Sequence, residues 1–236
     1  MQFITLTTFA AISLLASYSA FASRVFTTTV VCPIGGKSFQ TIEAASGTQV
    51  GQHLDLKPYG MIVSPWPIAK CPDNGFVIYK NDFTKAELQL LNAYVLGSEY
   101  QSLQKTESNY YLAALLMRHQ KAPKPKIAYT LLQSTWEVES DSRYKKYATE
   151  TLSAFEAILE KPPSDLNTQT IMQYQQLAGE IERRLGRFGA AKVRFNKLLA
   201  NKAIRKTPLE SIVLQEIKLV SQKSSKTHRI NVSNTK

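Results

Sequence analysis

Hydrophobic and polar positions divide this chain into three textures. The first, MQFITLTTFAAISLLASYSAFA, carries an apolar segment from Phe3 to Ala16 and then small and polar residues up to Ala22. The second consists of short runs rich in Val, Ile, Thr, Phe and Tyr. These runs, FTTTVVC, KSFQTIEA and FVIYKNDF, alternate or cluster as strands do and are punctuated by Gly, Pro and Asp. Between the last two, GTQVGQHLDLKPYGMIVSPWPIAK holds Pro58, Pro65 and Pro67 and reads as a long irregular loop. The third texture begins at Thr84, where apolar residues recur at helical spacing. Thr84-Lys-Ala-Glu87 is a capping box, with the Thr84 hydroxyl placed to accept from a first-turn amide and Glu87 reaching back to the cap. Helices are predicted over AELQLLNAYVL, SNYYLAALLMRHQ and IAYTLLQSTWEVE, then over 142–160, 168–185 and 188–199. A last begins at Thr207, with Pro208 at the first helical position.

These elements predict a mainly α protein: a small β-rich module over 23–83, then an α-helical array of six or seven helices over 84–222. The segment 223–236 is polar, basic and without periodicity, which predicts a disordered tail. Residues 1–22 end in Ala20-Phe21-Ala22, the A-x-A pattern of a secretory signal peptide cleaved after Ala22. A membrane anchor or a core helix is the alternative, but the apolar run is shorter than the roughly 20 residues a span needs. No cysteine follows the cleavage point, as a lipoprotein would require, and no later segment reaches span length. The expected location is therefore the periplasm or the exterior.

Charge adds a second asymmetry. The net charge is +11, and from Arg187 to Lys236 there are twelve Lys or Arg against Glu210 and Glu216, so a net of +10 lies in the last fifty residues. Arg187, Lys192, Arg194, Lys197, Lys202, Arg205 and Lys206 are the candidate contacts for an anionic partner, either an envelope component, an acidic protein or nucleic acid. A solvated helix face and a frayed tail account for the same charges.

VVCPIGGK and KCPDNGF each look like a metal-ribbon knuckle, Cys-Pro-x-Cys-Gly, that has lost its second cysteine, to Gly35 in the first and to Asn74 in the second. A structural zinc site needs four ligands. The chain has two cysteines and three histidines, and only His53 lies between the cysteines. No metal or other cofactor is expected. In an oxidising compartment two thiols held face to face join directly. A Cys32–Cys71 disulfide would staple the loops a metal would have held, closing about 39 residues for roughly 4 kcal/mol in the chain-entropy model. A Pro-containing turn at each site is compatible with that bridge. A redox-active pair is disfavoured, since catalytic dithiols usually read Cys-x-x-Cys.

Within the helices, QYQQLAGEIERRLGRFGAAKVRFNKLLAN resembles one tetratricopeptide unit. Gly179, Gly186, Phe188, Ala191 and Phe195 fall at its small and aromatic positions, whereas Gln175 and Ala203 depart from it. Ala128 and Leu132 echo the pattern in an earlier pair. The whole order, CPIGGKSF, DLKPYG, CPDNGFVIYKNDF and then helices ending in that unit, resembles the bacterial family catalogued as domain of unknown function 2225. The resemblance implies a zinc-ribbon-like module and tetratricopeptide-like helices, with Cys32 and Cys71 matching the first ligand of each knuckle. Members of that family look cytoplasmic and zinc-bound, with complete knuckles. Gly35 and Asn74 depart from that pattern, as a secreted branch that exchanged its metal for a disulfide would. The family carries no established activity, so the resemblance implies fold rather than function.

No Gly-rich phosphate loop, H-E-x-x-H or G-x-S-x-G occurs, and Asp55 and Asp82 read as turn residues rather than a catalytic pair. The expectation is a non-catalytic periplasmic interaction module whose partner is a protein or peptide. Tyr110, Tyr111, Tyr129, Tyr144, Tyr147 and Tyr174 are either its contact surface or helix-packing residues. The alternative is an electrostatic binder of an anionic polymer, membrane surface or nucleic acid.

Overall fold

The computed structural model describes residues 24–231. The predicted leader 1–22, its cleavage point and residues 232–236 lie outside the described residues. Strand β1 (Arg24–Val31) pairs antiparallel with β2 (Ser38–Ser46), Thr27 facing Ile42, and the first knuckle forms the turn between them. A second antiparallel hairpin follows, β3 (Thr48–Gln52) with β4 (Pro58–Met61). This corrects the irregular loop expected there. Gly60 makes the pairing possible, because at φ +135° a Cβ on it would lie 2.4 Å from the Thr48 carbonyl oxygen. The strand expected over FVIYKNDF is reduced to a bridge, Lys70 with Val77, beside the second knuckle.

The helices are α1 (Lys85–Leu96), α2 (Ser98–Leu103), α3 (Asn109–His119), α4 (Lys124–Glu137), α5 (Tyr144–Glu160), α6 (Thr168–Arg184), α7 (Phe188–Ala200) and α8 (Pro208–Ser221). A 3-10 turn at Lys202–Ile204 separates the last two. The capping box forms as read: Glu87 N donates to Thr84 Oγ1 at 3.2 Å and Thr84 N to Glu87 Oε2 at 2.8 Å. From α3 to α8 each helix packs on the next in sequence, the arrangement of a tetratricopeptide-like array. Gly179 on α6 lies under the Phe195 ring of α7, where a Cβ would come within 2.4 Å of the ring. Gly186 turns the chain between the two helices at φ +75°.

The β-rich module does not keep a core of its own. Cys32, Ile34, Cys71, Phe76 and Val77 pack into one cluster with Leu91, Val95, Tyr100, Leu112 and Leu116, so the knuckles and α1–α3 are buried together. Tyr100 Oη donates to the Gly75 carbonyl at 2.8 Å and Gln101 Nε2 to the Asn74 carbonyl at 2.8 Å, tying α2 to the second knuckle. The tail is the other correction. Residues 224–231 return as a strap along the β3–β4 hairpin, with Leu54 N donating to the His228 carbonyl and Ile230 N to the Gln52 carbonyl, both at 2.9 Å. Main-chain pairing orders this polar segment, and such pairing leaves no trace in hydrophobic periodicity.

Candidate functional site

The two knuckles are the same turn made twice. Cys32 N donates to the Lys37 carbonyl and Gly36 N to the Cys32 carbonyl, at 2.9 and 3.1 Å; Cys71 N donates to the Phe76 carbonyl and Gly75 N to the Cys71 carbonyl, at 2.8 and 3.0 Å. The turns face each other and Cys32 is bonded to Cys71, their Cα atoms 5.7 Å apart. The four-cysteine metal site implied by the resemblance does not fit these residues. Both sulfurs are bonded to each other, Gly35 has no side chain, and the Asn74 amide is committed elsewhere. Its Nδ2 crosses to donate to the Ile34 carbonyl at 2.7 Å, and its Oδ1 accepts from Phe76 N at 2.9 Å. Asn74 thereby links the two knuckles beside the disulfide. His53 lies on the other hairpin, stacked on Tyr59 at 5.3 Å and bridged to Arg229.

The candidate anionic contacts separate into two groups. Arg187, Lys192, Lys197, Lys202, Arg205 and Lys206 are exposed and form no ion pair among the described residues. Arg194 is instead held against its own array. Its guanidinium donates twice to Glu182, at 2.9 and 2.7 Å, and once to Glu156 on α5 at 3.1 Å. Beside these cations a groove of about 440 Å³ runs between α6 and α7, floored by Gly189, Ala190 and Val193 and flanked by Glu182, Arg194 and Lys197. Val193 is 69 % exposed. A smaller recess of about 150 Å³, lined by Ile171, Met172 and Leu198, adjoins it through Gln175 and Lys197. The tyrosines are mostly packing residues. Tyr110, Tyr111 and Tyr147 are buried, Tyr144 and Tyr174 pack against the core, and Tyr129 is exposed.

Sequence reasoning missed a buried polar junction where the β3–β4 turn enters the helical array. Asp55 is a turn residue, as expected, but a buried one. Its Oδ1 accepts from Lys57 N at 3.1 Å, and Arg184 Nη1 stands 3.8 Å from Oδ2. Glu139 joins Lys57 (2.8 Å), Arg184 (3.3 Å) and the Thr227 hydroxyl of the strap. Burial pushes the Asp55 carboxyl up, against the Lys57 amide and Arg184. Burial also opposes ionisation of Glu139, but hydrogen bonds from Lys57 and Thr227 hold it down at about 2. Arg183, with no exposed surface, donates to Glu180 at 2.7 Å through Nε and Nη2, to Glu216 at 3.1 Å, and through Nη1 to the Ser224 and Lys226 carbonyls. Burial and then the Glu216 charge raise Glu180 well above the carboxylate range; burial likewise raises Glu216. Burial lowers His53 against the opposing charges of Asp55 and Glu139, and burial followed by the Arg183 and Arg184 charges lowers His228. The DLKPYG segment was the available signal, but nothing in it names Glu139, Arg183 or Arg184 as partners. The junction closes the hairpin, α6, α8 and the strap into one body, with Arg184 Nε and Nη1 and His53 Nδ1 buried in it without a hydrogen-bond partner among the described residues.

A family model described as "uncharacterized protein conserved in bacteria", domain of unknown function 2225, matches residues 25–223. No curated protein and no solved structure matches the chain.

Proposed function

The chain belongs to the domain of unknown function 2225 family, and on that premise we propose that it is an exported, non-catalytic interaction module that binds an acidic segment of a partner protein along α7. The observation that carries this reading is the coincidence of an apolar-floored groove with unpaired cations. Val193 is 69 % exposed between small residues that let a partner backbone approach closely, and Lys197, which forms no ion pair among the described residues, lines the groove beside it, with exposed Lys192 on the same helix. Apolar contact supplies affinity there and the cations select an acidic partner. Export is supported by the leader-like first 22 residues and by a disulfide, a bond that persists in oxidising compartments. A non-catalytic role is supported by the junction, whose carboxylates are buried and tied to Arg183, Arg184 and Lys57.

A photo-cross-linking side chain at position 193, introduced in the living cell, tests the reading. Recovery of one envelope protein, lost with Lys197→Glu, is the expected result; adducts unaffected by that change would count against it. The unpaired cations also favour a second reading, binding of an anionic polymer or membrane surface. Binding to that class falls steeply with added salt and does not depend on Val193, whereas groove binding responds to Val193→Asp at any salt concentration.

A further inference from the structure

Strand β1 is an open sheet edge. Its sheet has two strands, and no other described segment pairs with it. A two-stranded arm has little stability of its own in water, and edges that must stay single are blunted by Lys, Pro or bulges. Between Val25 and Val31 this strand has no Lys and no Pro, and its one register irregularity falls at Arg24/Val25. Val25, Phe26 and Val31 are 53, 46 and 59 % exposed, and Ile42 on the neighbouring strand is 57 % exposed.

The segment VFTTTVV is nearly palindromic about Thr28. We propose that β1 pairs antiparallel with β1 of a second copy about a two-fold axis at Thr28, forming a four-stranded sheet in the order β2, β1, β1, β2. In that register Val25 meets Val31, Phe26 meets Val30, Thr27 meets Thr29 and Thr28 meets its own equivalent. Each position faces its own chemical class, and the combinations, Thr with Thr and aromatic with β-branched, are favourable across strands. A slip of two residues would set Val25 against Thr29 and Phe26 against Thr28. Odd-numbered residues oppose odd-numbered ones, so Val25 and Val31 of both copies share one face, together with Ile42, which sits across from Thr27. The contact closes on itself, residue i touching j and j touching i.

Charge favours the same occupant. The chain as a whole carries +11, but the two strands of the arm hold only Arg24 and Glu43, so two arms meet without the repulsion two whole surfaces would feel. A strongly acidic or basic partner would find no charge on this strand beyond Arg24 at its end.

Sedimentation equilibrium of the purified protein tests the pairing, and a concentration-dependent dimer is expected. Thr28→Lys and Thr28→Glu place like charges opposite each other at the axis, so each alone should weaken the dimer by roughly tenfold or more, and an equimolar mixture should restore it. Under mild oxidation Thr28→Cys should form a covalent dimer, whereas Thr27→Cys should cross-link efficiently only with Thr29→Cys. Unchanged circular dichroism and an intact Cys32–Cys71 bridge would exclude a folding effect. A monomer at every concentration, or a dimer indifferent to the Thr28 variants, would overturn the inference.

Discussion

Asn74 stands where a complete knuckle would have its second cysteine, and it makes bonds a cysteine could not. A second cysteine there would contribute one sulfur towards a metal, whereas the amide donates across the gap to Ile34 and accepts from its own knuckle at Phe76. Asn74→Ala leaves a buried carbonyl and a buried amide unpaired, and the expected cost is about 1–3 kcal/mol, read as a lower urea midpoint at unchanged slope. Cys71→Ser removes the covalent half of the same link and should cost about 2–5 kcal/mol. Gly179→Ala belongs to another class: with Phe195 within 2.4 Å of the new Cβ, overpacking should cost about 1–3 kcal/mol. The knuckle cysteines, the Thr84 cap and Gly179 were legible because each depends on short spacing or on a recurring motif. Asp55 is legible as a turn residue, but its burial is not, because that depends on Arg184 and Glu139, which the sequence places far away.

Among the elements, the amphipathic helices declared themselves through their period, and the predicted spans fall on α1 and α3 to α8 within a few residues. The β3–β4 hairpin did not, because Thr48–Gln52 is polar with a glycine inside it and shows no apolar face. What holds the hairpin is its tip: Leu54 is fully buried, its carbonyl accepts from Gln176 Nε2 at 2.9 Å, and its amide is covered by the strap. The strap was hidden for the same reason, since main-chain bonds, Arg183 and polar side-chain contacts such as Thr227 to Glu139 secure it instead of apolar side chains. Arg183 therefore controls two elements at once. Arg183→Met would leave Glu180 and Glu216 without their counter-charge, and breaking a buried pair in this way costs about 3–5 kcal/mol. The Ser224 and Lys226 carbonyls lose the same donor, so hydrogen exchange at the Leu54 and Ile230 amides should rise faster than exchange within α3 and α4. Uniform acceleration across the molecule would show that the strap is not a separately released element.

For the whole molecule, the junction couples stability to pH with two opposing signs. His53 and His228 are lowered from 6.5, chiefly by burial, which at His53 outweighs the opposing Asp55 and Glu139 charges and at His228 is reinforced by Arg183, Arg184 and Lys226. A depressed value favours the neutral ring in the folded state, so this contribution is fully present above pH 6.5 and is lost as the pH falls through the folded values. Glu180 and Glu216 are raised from 4.5, chiefly by burial, and their contribution runs the other way. It is fully present below pH 4.5 and is lost as the pH rises through the folded values. Between pH 4.5 and 6.5 the two partly cancel, and the wild-type curve alone cannot reveal either. Variants separate them. Relative to a His53→Gln, His228→Gln double variant, the wild type should lose stability progressively as the pH drops below 6.5. Relative to Glu180→Gln, it should lose stability as the pH climbs above 4.5. Parallel unfolding curves for the wild type and the histidine variant across that interval would mean that both rings keep their ordinary affinity for protons, and that the strap is indifferent to acid.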